Sequence, residues 1–481
     1  MSTSVRAVSA ADHLACVPVH VVWEITLACD LKCQHCGSRA GRARTDELST
    51  AECIEVIDAL ARLGTREITL IGGEVYLRRD WTELVREIRA RDIRCTAQTG
   101  ARNLSPARLD AAVAAGLQGV GVSLDGLAPL HDELRGVPGA HARALDALRR
   151  IKAAGIGASV NTQIGARTLP DLPALMDQIV DAGATHWQTQ LTVAMGNAVD
   201  HAELLLQPHA LLELMPALAD LYRRGLQRGL LLAVGNNIGY FGPHEHLWRG
   251  LGDERTHWSG CGAGRLTMGI EADGTIKGCP SLATVGFAGG NVRDAGLAEL
   301  WNTAPALHFG RLRDLDDLWG LCRGCYYADV CRGGCTWTAH SLLGRAGNNP
   351  YCHHRVLTLA RQGLRERIVK RAEAPAEPFA IGGFALVREP IAGGPPVAVS
   401  EPSAAPHVPL ARLRRPAPEA LPPRLELCRA CHQYVHAHES TCPHCGGDIA
   451  AAAARHEADS RRRRAVIDEV TRALARARRP A

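Results

Sequence analysis

Two rhythms of apolar and polar positions alternate between residues 20 and 190. The short runs "HVVWEITL", "EITLIGG", "CTAQTG", "GVGVSL", "GASVNTQI" and "HWQTQLTV" are rich in β-branched residues and have the length of strands. Between them, segments at 50–63, 80–91, 105–115, 140–153 and 170–182 place Ala, Leu and Ile at the intervals of one helix face. Six strand–helix units of this kind predict a parallel β/α architecture. Its functional face is then the C-terminal ends of the strands.

Beyond residue 200 the rhythm changes. A Leu-rich helix is expected at about 203–228. From 241 to 352 the chain turns to Gly, Cys and short irregular runs, and a helix is expected at 354–373. Residues 374–425 ("EAPAEPFAIGG", "AGGPPVAVSEPSAAPHVP") read as a Pro/Ala-rich linker. A small cysteine cluster follows at 428–445, and an Ala/Arg helix containing Arg461–Arg464 ends the chain.

Composition narrows the function classes. A chain of 481 residues has room for about two to three domains. A net charge of +5 is close to neutral for this length and gives no reason to invoke nucleic acid. The basic residues are nearly all Arg, with Lys only at 32, 152, 277 and 370, which reads as a GC-rich genome. No apolar run reaches the ~18 residues of a membrane helix. The N-terminus lacks the basic and apolar regions of a signal peptide, so a cytoplasmic protein without membrane contact is expected. In that compartment 17 cysteines point to metal and not to disulfides.

The first cysteine group lies in "WEITLACDLKCQHCGSRAG", residues 23–41, directly after the first expected strand. Cys29, Cys33 and Cys36 are an odd number of thiols, so a disulfide would strand one. A zinc knuckle would need His35 or a distant residue as its fourth ligand. An iron–sulfur cube held by three thiolates instead leaves one iron open to an outside ligand. This loop resembles the CxxxCxxC loop of the radical SAM enzymes. The resemblance implies a [4Fe-4S] cluster whose open iron chelates S-adenosylmethionine and whose electron yields a 5′-deoxyadenosyl radical.

Three further stretches resemble that family. In "LIGGEVYLRRDW", Gly72, Gly73 and Glu74 end the second strand and match its GGE motif, which holds the methionine ammonium. Paired glycines let a backbone approach a ligand closely, and a carboxylate suits a bound cation. Read without the resemblance, the same residues form an ordinary turn. Ser123 and Asp125 in "VSLDG" end the fourth strand, where family members contact ribose or substrate. Asp125 could equally serve as a helix cap or Asx-turn. "QTG" at 98–100 matches a TNG at the third strand's end, with its Asn missing. His35 is expected to pack or shield.

A second cysteine field has a fixed syntax: Cys261, Cys279, then Cys322-x2-Cys325-x5-Cys331-x3-Cys335, then Cys352. It resembles the SPASM domain, which carries one or two auxiliary iron–sulfur clusters. By the family's interleaved pattern, Cys322, Cys325, Cys331 and Cys352 hold the outer cluster, and Cys261, Cys279 and Cys335 the inner one. Sulfatase-maturing relatives have another cysteine soon after the first. Here "CGAGRLTMG" has none, which leaves an open iron, an unusual ligand such as His257, or a smaller cluster. Those relatives also have an Asp after the Cys279 equivalent; this chain has Pro280, which cannot take a proton.

The third group, Cys428-x2-Cys431 and Cys442-x2-Cys445, reads as a structural zinc ribbon, with a rubredoxin-like single iron as the alternative. Its ligands would fold a segment too small for its own core. The Arg461–Arg464 run is expected to be a solvated helix face.

The expected fold is therefore α/β: a partial (β/α)6 radical SAM barrel, a SPASM domain and a small C-terminal zinc-ribbon-like module. The expected boundaries are an extension at 1–18, the barrel at 19–240, SPASM at 241–373, the linker at 374–425, the ribbon at 426–450 and a basic helix at 451–481. The wording around the first two motifs is similar to maturases acting on Nif11-type precursor peptides, some of which excise a tyrosine-derived tyramine unit. The resemblance implies a precursor peptide substrate, a separate leader-binding partner and an electron donor such as flavodoxin or ferredoxin. The alternatives are a SPASM enzyme forming thioether or carbon–carbon cross-links or maturing a protein or cofactor, and a non-catalytic electron carrier or zinc interaction protein.

Overall fold

The computed structural model describes residues 8–249, 256–400 and 424–477. They group into two compact units, one from 8–240 with 259–400 and the other from 241–249 and 256–258 with 424–477.

The first unit is built on one ten-stranded sheet. Strands β1 (His20–Glu24), β2 (Glu67–Ile71), β3 (Arg94–Thr99), β4 (Gly119–Ser123), β5 (Gly157–Ile164), β6 (His186–Leu191) and β7 (Leu231–Val234) run in sequence order, each parallel to the next. The helices expected between them are present at Thr50–Arg62, Trp81–Ala90, Pro106–Ala114, Ala140–Ala153 and Leu172–Asp181. Local signals set their starts. Ser49 and Glu52 form a capping box, and Ser105 caps a helix with Pro106 in its first turn. Inward residues such as Trp23, Leu70, Val122 and Trp187 have no solvent exposure and form the core between sheet and helices.

On the far side of β1 the sheet continues. Strand β8 (Thr267–Ile270) lies parallel to β1, and β9 (Thr275–Lys277) and β10 (Ala288–Asn291) follow antiparallel. Cys261 and Cys279 therefore flank a hairpin that is an extension of the same sheet. At this junction Glu24 is buried beside Glu271, with Arg44 and Lys277 as counter-charges.

Burial, reinforced by Glu271, pushes the Glu24 carboxyl up from 4.5 to about 7. A raised carboxyl favours the protonated form in the fold. Its contribution to stability is complete below pH 4.5 and is lost as pH rises toward 7. Glu24→Gln should therefore gain thermal stability relative to the parent at pH 8 and gain less at pH 5. A difference in Tm that does not change with pH would refute this.

Several expectations are corrected. A seventh parallel strand, β7, follows the Leu-rich helix, which spans Leu211–Gln227. The helix expected at 354–373 stops at Arg361 (His353–Arg361). Gly363, at φ +70°, breaks it, and β11 (Leu364–Ala372) follows. β11 pairs antiparallel with β12 (Gly383–Pro390), which pairs with β13 (Val397–Ser400). The front of the expected 374–425 linker is thus sheet: the successive residues Phe384, Ala385 and Leu386 have about 1% exposure or less, so both faces of β12 are covered here. The remainder, 401–423, lies outside the described residues.

In the second unit, β14 (Leu425–Leu427) and β15 (Tyr434–His436) form a hairpin, and a helix spans Ile449–Ala477. Residues 241–258, expected to open the SPASM domain, group with this unit. Tyr434 donates its hydroxyl to the Thr256 carbonyl at 3.0 Å and meets the His257 ring at 5.2 Å. Among the described residues no helix is long and apolar enough to cross a membrane.

Candidate functional site

The Cys29–Cys36 loop leaves β1 at the C-terminal edge of the sheet, and the end of β2 packs directly beneath it. Gly73 and Glu74 donate their amides to the Thr26 and Ala28 carbonyls, each at 2.8 Å. A Cβ on Gly73 would stand 2.1 Å from the Ala28 oxygen and 2.8 Å from Cys29 Cβ. One on Gly72 would stand 2.2 Å from the Thr26 oxygen. The paired glycines are needed for close approach of backbone to backbone. Gly73→Ala must move the cysteine loop, and a shift of about 1 Å costs about 100-fold in a reaction that depends on alignment. An assay of S-adenosylmethionine cleavage by the variant reads that loss; parent-like cleavage would contradict it.

Glu74 is fully buried, and its carboxylate accepts from the Gly100 amide at 2.6 Å and from the Thr99 hydroxyl. These two residues belong to the QTG stretch, so that stretch reaches the site through Glu74. Burial pushes the Glu74 carboxyl up to about 7. Cys29 Sγ, an Asp30 oxygen and a Glu74 oxygen lie within 4.8 Å of one another. Asp30 accepts in turn from Tyr76 at 3.2 Å and from Asn103 at 2.7 Å.

Donors converge on the three sulfurs. The Leu31 amide points at Cys29 Sγ (3.4 Å), the Ala40 amide at Cys36 Sγ (3.4 Å) and Arg135 Nη1 at Cys33 Sγ (3.6 Å). As free thiols Cys29 and Cys33 are held up at about 12 and about 11, in each case first by burial. Half-buried sulfurs that each face an N–H donor suit thiolates whose charge a metal offsets, because hydrogen bonds to sulfur are a feature of cluster sites.

Asp125 is fully buried at the loop's other flank. Its carboxylate meets Arg135 Nη2 at 2.6 Å and His35 Nε2 at 3.2 Å, and accepts from the Gln163 amide at 2.9 Å. Burial opposes its charge, but Arg135 and then His35 hold its carboxyl far below the usual range. The sequence pointed Asp125 toward a ligand; in the structure protein groups already surround its carboxylate. Ser123 is half-buried at the end of β4. His35, Gln163, Gly165 and Thr192 line a cavity beside this network.

Arg135 escaped the sequence reading. It ends the helix Ala128–Arg135, whose last carbonyls, from Leu134 and Arg135, accept the Gln34 and Lys32 amides of the cysteine loop. The available signal was Gly136: its φ is +65°, and a Cβ there would stand 2.6 Å from the Lys32 oxygen. The chain after the SPASM cysteines also returns to this loop. Phe379 donates its amide to Gly37 at 3.0 Å, and its ring lies 3.7 Å from Lys277 Nζ.

The seven later cysteines of the first unit fall into two electrostatic neighbourhoods. Burial and then Cys261 and Cys279 push up the Cys335 thiol, to about 12. Burial and the Cys352, Cys322 and Cys325 thiols push up Cys331. His257, in the second unit, bonds the Trp258 carbonyl and packs on Tyr434.

In the second unit, Cys428, Cys431, Cys442 and Cys445 place their sulfurs within 4.8 Å of one another. The Cys428–Cys445 and Cys431–Cys442 separations are 3.9 and 3.7 Å. A tetrahedral shell with metal–sulfur bonds of about 2.3 Å has edges of about 3.8 Å. The residues present fit a four-thiolate metal.

Comparison with known proteins bears on the whole constellation. The radical SAM superfamily profile matches residues 23–177, and the SPASM iron–sulfur cluster-binding domain matches 261–326. A mycofactocin maturase (MftC) of Mycobacterium ulcerans is 32% identical over 345 residues, covering 70% of this chain and 88% of its own. The chain is a radical SAM/SPASM enzyme. Two further relatives of this enzyme are an AdoMet-dependent heme synthase of Methanosarcina barkeri and a PqqA peptide cyclase of Ruegeria pomeroyi. The first is 28% identical, covering 70% of this chain and 97% of its own. The second is 29% identical, covering 72% and 91%. S-adenosylmethionine and iron–sulfur clusters are thus the enzyme's cofactors.

Proposed function

We propose that this enzyme modifies a ribosomally made precursor peptide at the C-terminal face of its barrel. The observation that carries the reading is the donor-lined Cys29–Cys36 loop seated on Gly73–Glu74, in a chain whose relatives include a peptide cyclase. In this reading Cys29, Cys33 and Cys36 hold the catalytic cluster, which supplies the electron that cleaves S-adenosylmethionine. Gly72 and Gly73 open the backbone to the methionine end, and Glu74, oriented by Thr99 and Gly100, receives its ammonium. Ser123 faces the ribose or the substrate. Asp125 acts through Arg135 and His35, fixing the loop. Cys322, Cys325, Cys331 and Cys352 hold an outer auxiliary cluster, and Cys261, Cys279 and Cys335 an inner one. A leader-binding protein delivers the peptide, and a flavodoxin or ferredoxin supplies electrons.

The finer reading is excision of a tyrosine-derived fragment, resting on the wording around the first two motifs. Mass separates the outcomes: excision removes a fragment, whereas cross-linking removes only hydrogens. A second reading, cofactor maturation, has the heme synthase relative in its favour. It would gain if a porphyrin substrate, and no peptide, raised 5′-deoxyadenosine release by the reduced enzyme.

The Cys428–Cys445 site holds a structural zinc in this account. Cys442→Ser should lose one zinc per chain by metal analysis and free the ribbon for proteolysis. Loss of iron with no loss of zinc would assign a rubredoxin-like site instead.

A further inference from the structure

Arg313 is a buried cation of the SPASM region that forms no ion pair with a carboxylate among the described residues. It follows the short helix Phe309–Leu312, is 5% exposed, and forms no ion pair among the described residues. Its Nη1 reaches the Arg332 carbonyl at 3.5 Å, and Arg332 returns a bond to the Arg313 carbonyl at 2.9 Å. Its Nη2 is buried with no partner. An unpaired guanidinium in a protein interior is costly, so something at this place must offset it. The groups in electrostatic reach are Cys261 first, then Asp317, Cys335 and Cys331. Two of these thiols belong to the inner set and one to the outer.

We propose that Arg313 is a positioning residue shared by the two auxiliary clusters, its guanidinium lodged between them and its free N–H directed at cluster sulfur. This rests on the cysteine assignment given above. Clusters held by thiolates carry net negative charge, and reduction adds one more. A buried cation beside both therefore favours the reduced form of each. The other buried cations near these cysteines are already engaged. Arg355, near Cys322 and Cys352, is paired with Glu366 at 2.6 Å, and Lys277, near Cys279, with Glu271 at 2.8 Å. Arg313 alone among the three has no carboxylate of its own.

The test uses the full chain carrying Cys29→Ala, Cys33→Ala and Cys36→Ala, so that every cluster signal comes from the auxiliary sites. Arg313→Lys keeps the charge; Arg313→Gln keeps a donor and loses the charge. Iron content and a redox titration followed by electron paramagnetic resonance are measured for both. The expected result is a shift of both auxiliary midpoints to lower potential in the Gln variant and near-parental midpoints in the Lys variant. Loss of both clusters in Gln with retention in Lys would also support the charge role. Unchanged midpoints in Gln, a shift of one cluster only, or equal loss of clusters in both variants would overturn it. If the parent with alanines at the triad holds no auxiliary iron, the cysteine assignment itself fails, a result distinct from any outcome at Arg313.

Discussion

Cys33→Ala should reduce 5′-deoxyadenosine formation to the level of a protein-free control, while most auxiliary-cluster iron stays bound. Cys33 is the thiol at the centre of the loop's support. Arg135 donates to its sulfur, and Asn197 Nδ2 donates to its carbonyl at 2.9 Å. Removing it leaves two thiolates for a cluster that needs three, with the Arg135 cation facing an empty position. The SPASM cysteines belong to other segments of the chain, so their iron has no reason to leave. Anaerobic reconstitution, iron analysis and chromatography of the S-adenosylmethionine products check both halves. Retained cleavage would contradict the assignment of the triad; loss of all iron would contradict the independence of the auxiliary sites.

The second large effect concerns the buried pair behind that loop. Arg135→Leu should destabilise the protein by about 3–5 kcal/mol, the usual result of leaving a buried charge without its partner. Asp125 keeps only His35 and the Gln163 amide, at full burial. The double variant Arg135→Leu with Asp125→Asn should recover part of the loss, since neither charge is then stranded. Denaturation of the reconstituted protein gives these energies. A loss below about 1 kcal/mol, the scale of an exposed pair, would show that Asp125 is solvated or serves a ligand.

These two predictions also mark where the sequence was informative. The cysteine groups were legible because holding a metal or cluster imposes short, fixed spacings on its ligands. Gly72–Glu74 was legible for a similar reason, with the glycine pair required because an added Cβ would fall on the Thr26 and Ala28 carbonyl oxygens. The charged partners were not. Arg135 and Arg313 are two arginines among many, and what distinguishes them is burial against cysteines distant in the chain. Strand β11 was missed because "LRERIVKRA" follows a helix and continues its charged rhythm. Only the alternate burial of Glu366 and Ile368 against β12, after the break at Gly363, separates the two elements. The same reasoning explains the missed sheet at 383–400, where Pro and Ala content hid a buried Phe384–Leu386 core.

The measurement that bears most directly on peptide modification is the intact mass of each short peptide encoded beside this protein, after anaerobic co-expression with the parent and with Cys33→Ala. The account predicts a mass change in one peptide with the parent enzyme and none with the variant, a missing fragment at a tyrosine marking excision. A peptide changed equally by both proteins would contradict it, because the modification would then not depend on the loop that Arg135 and Gly73 hold in place.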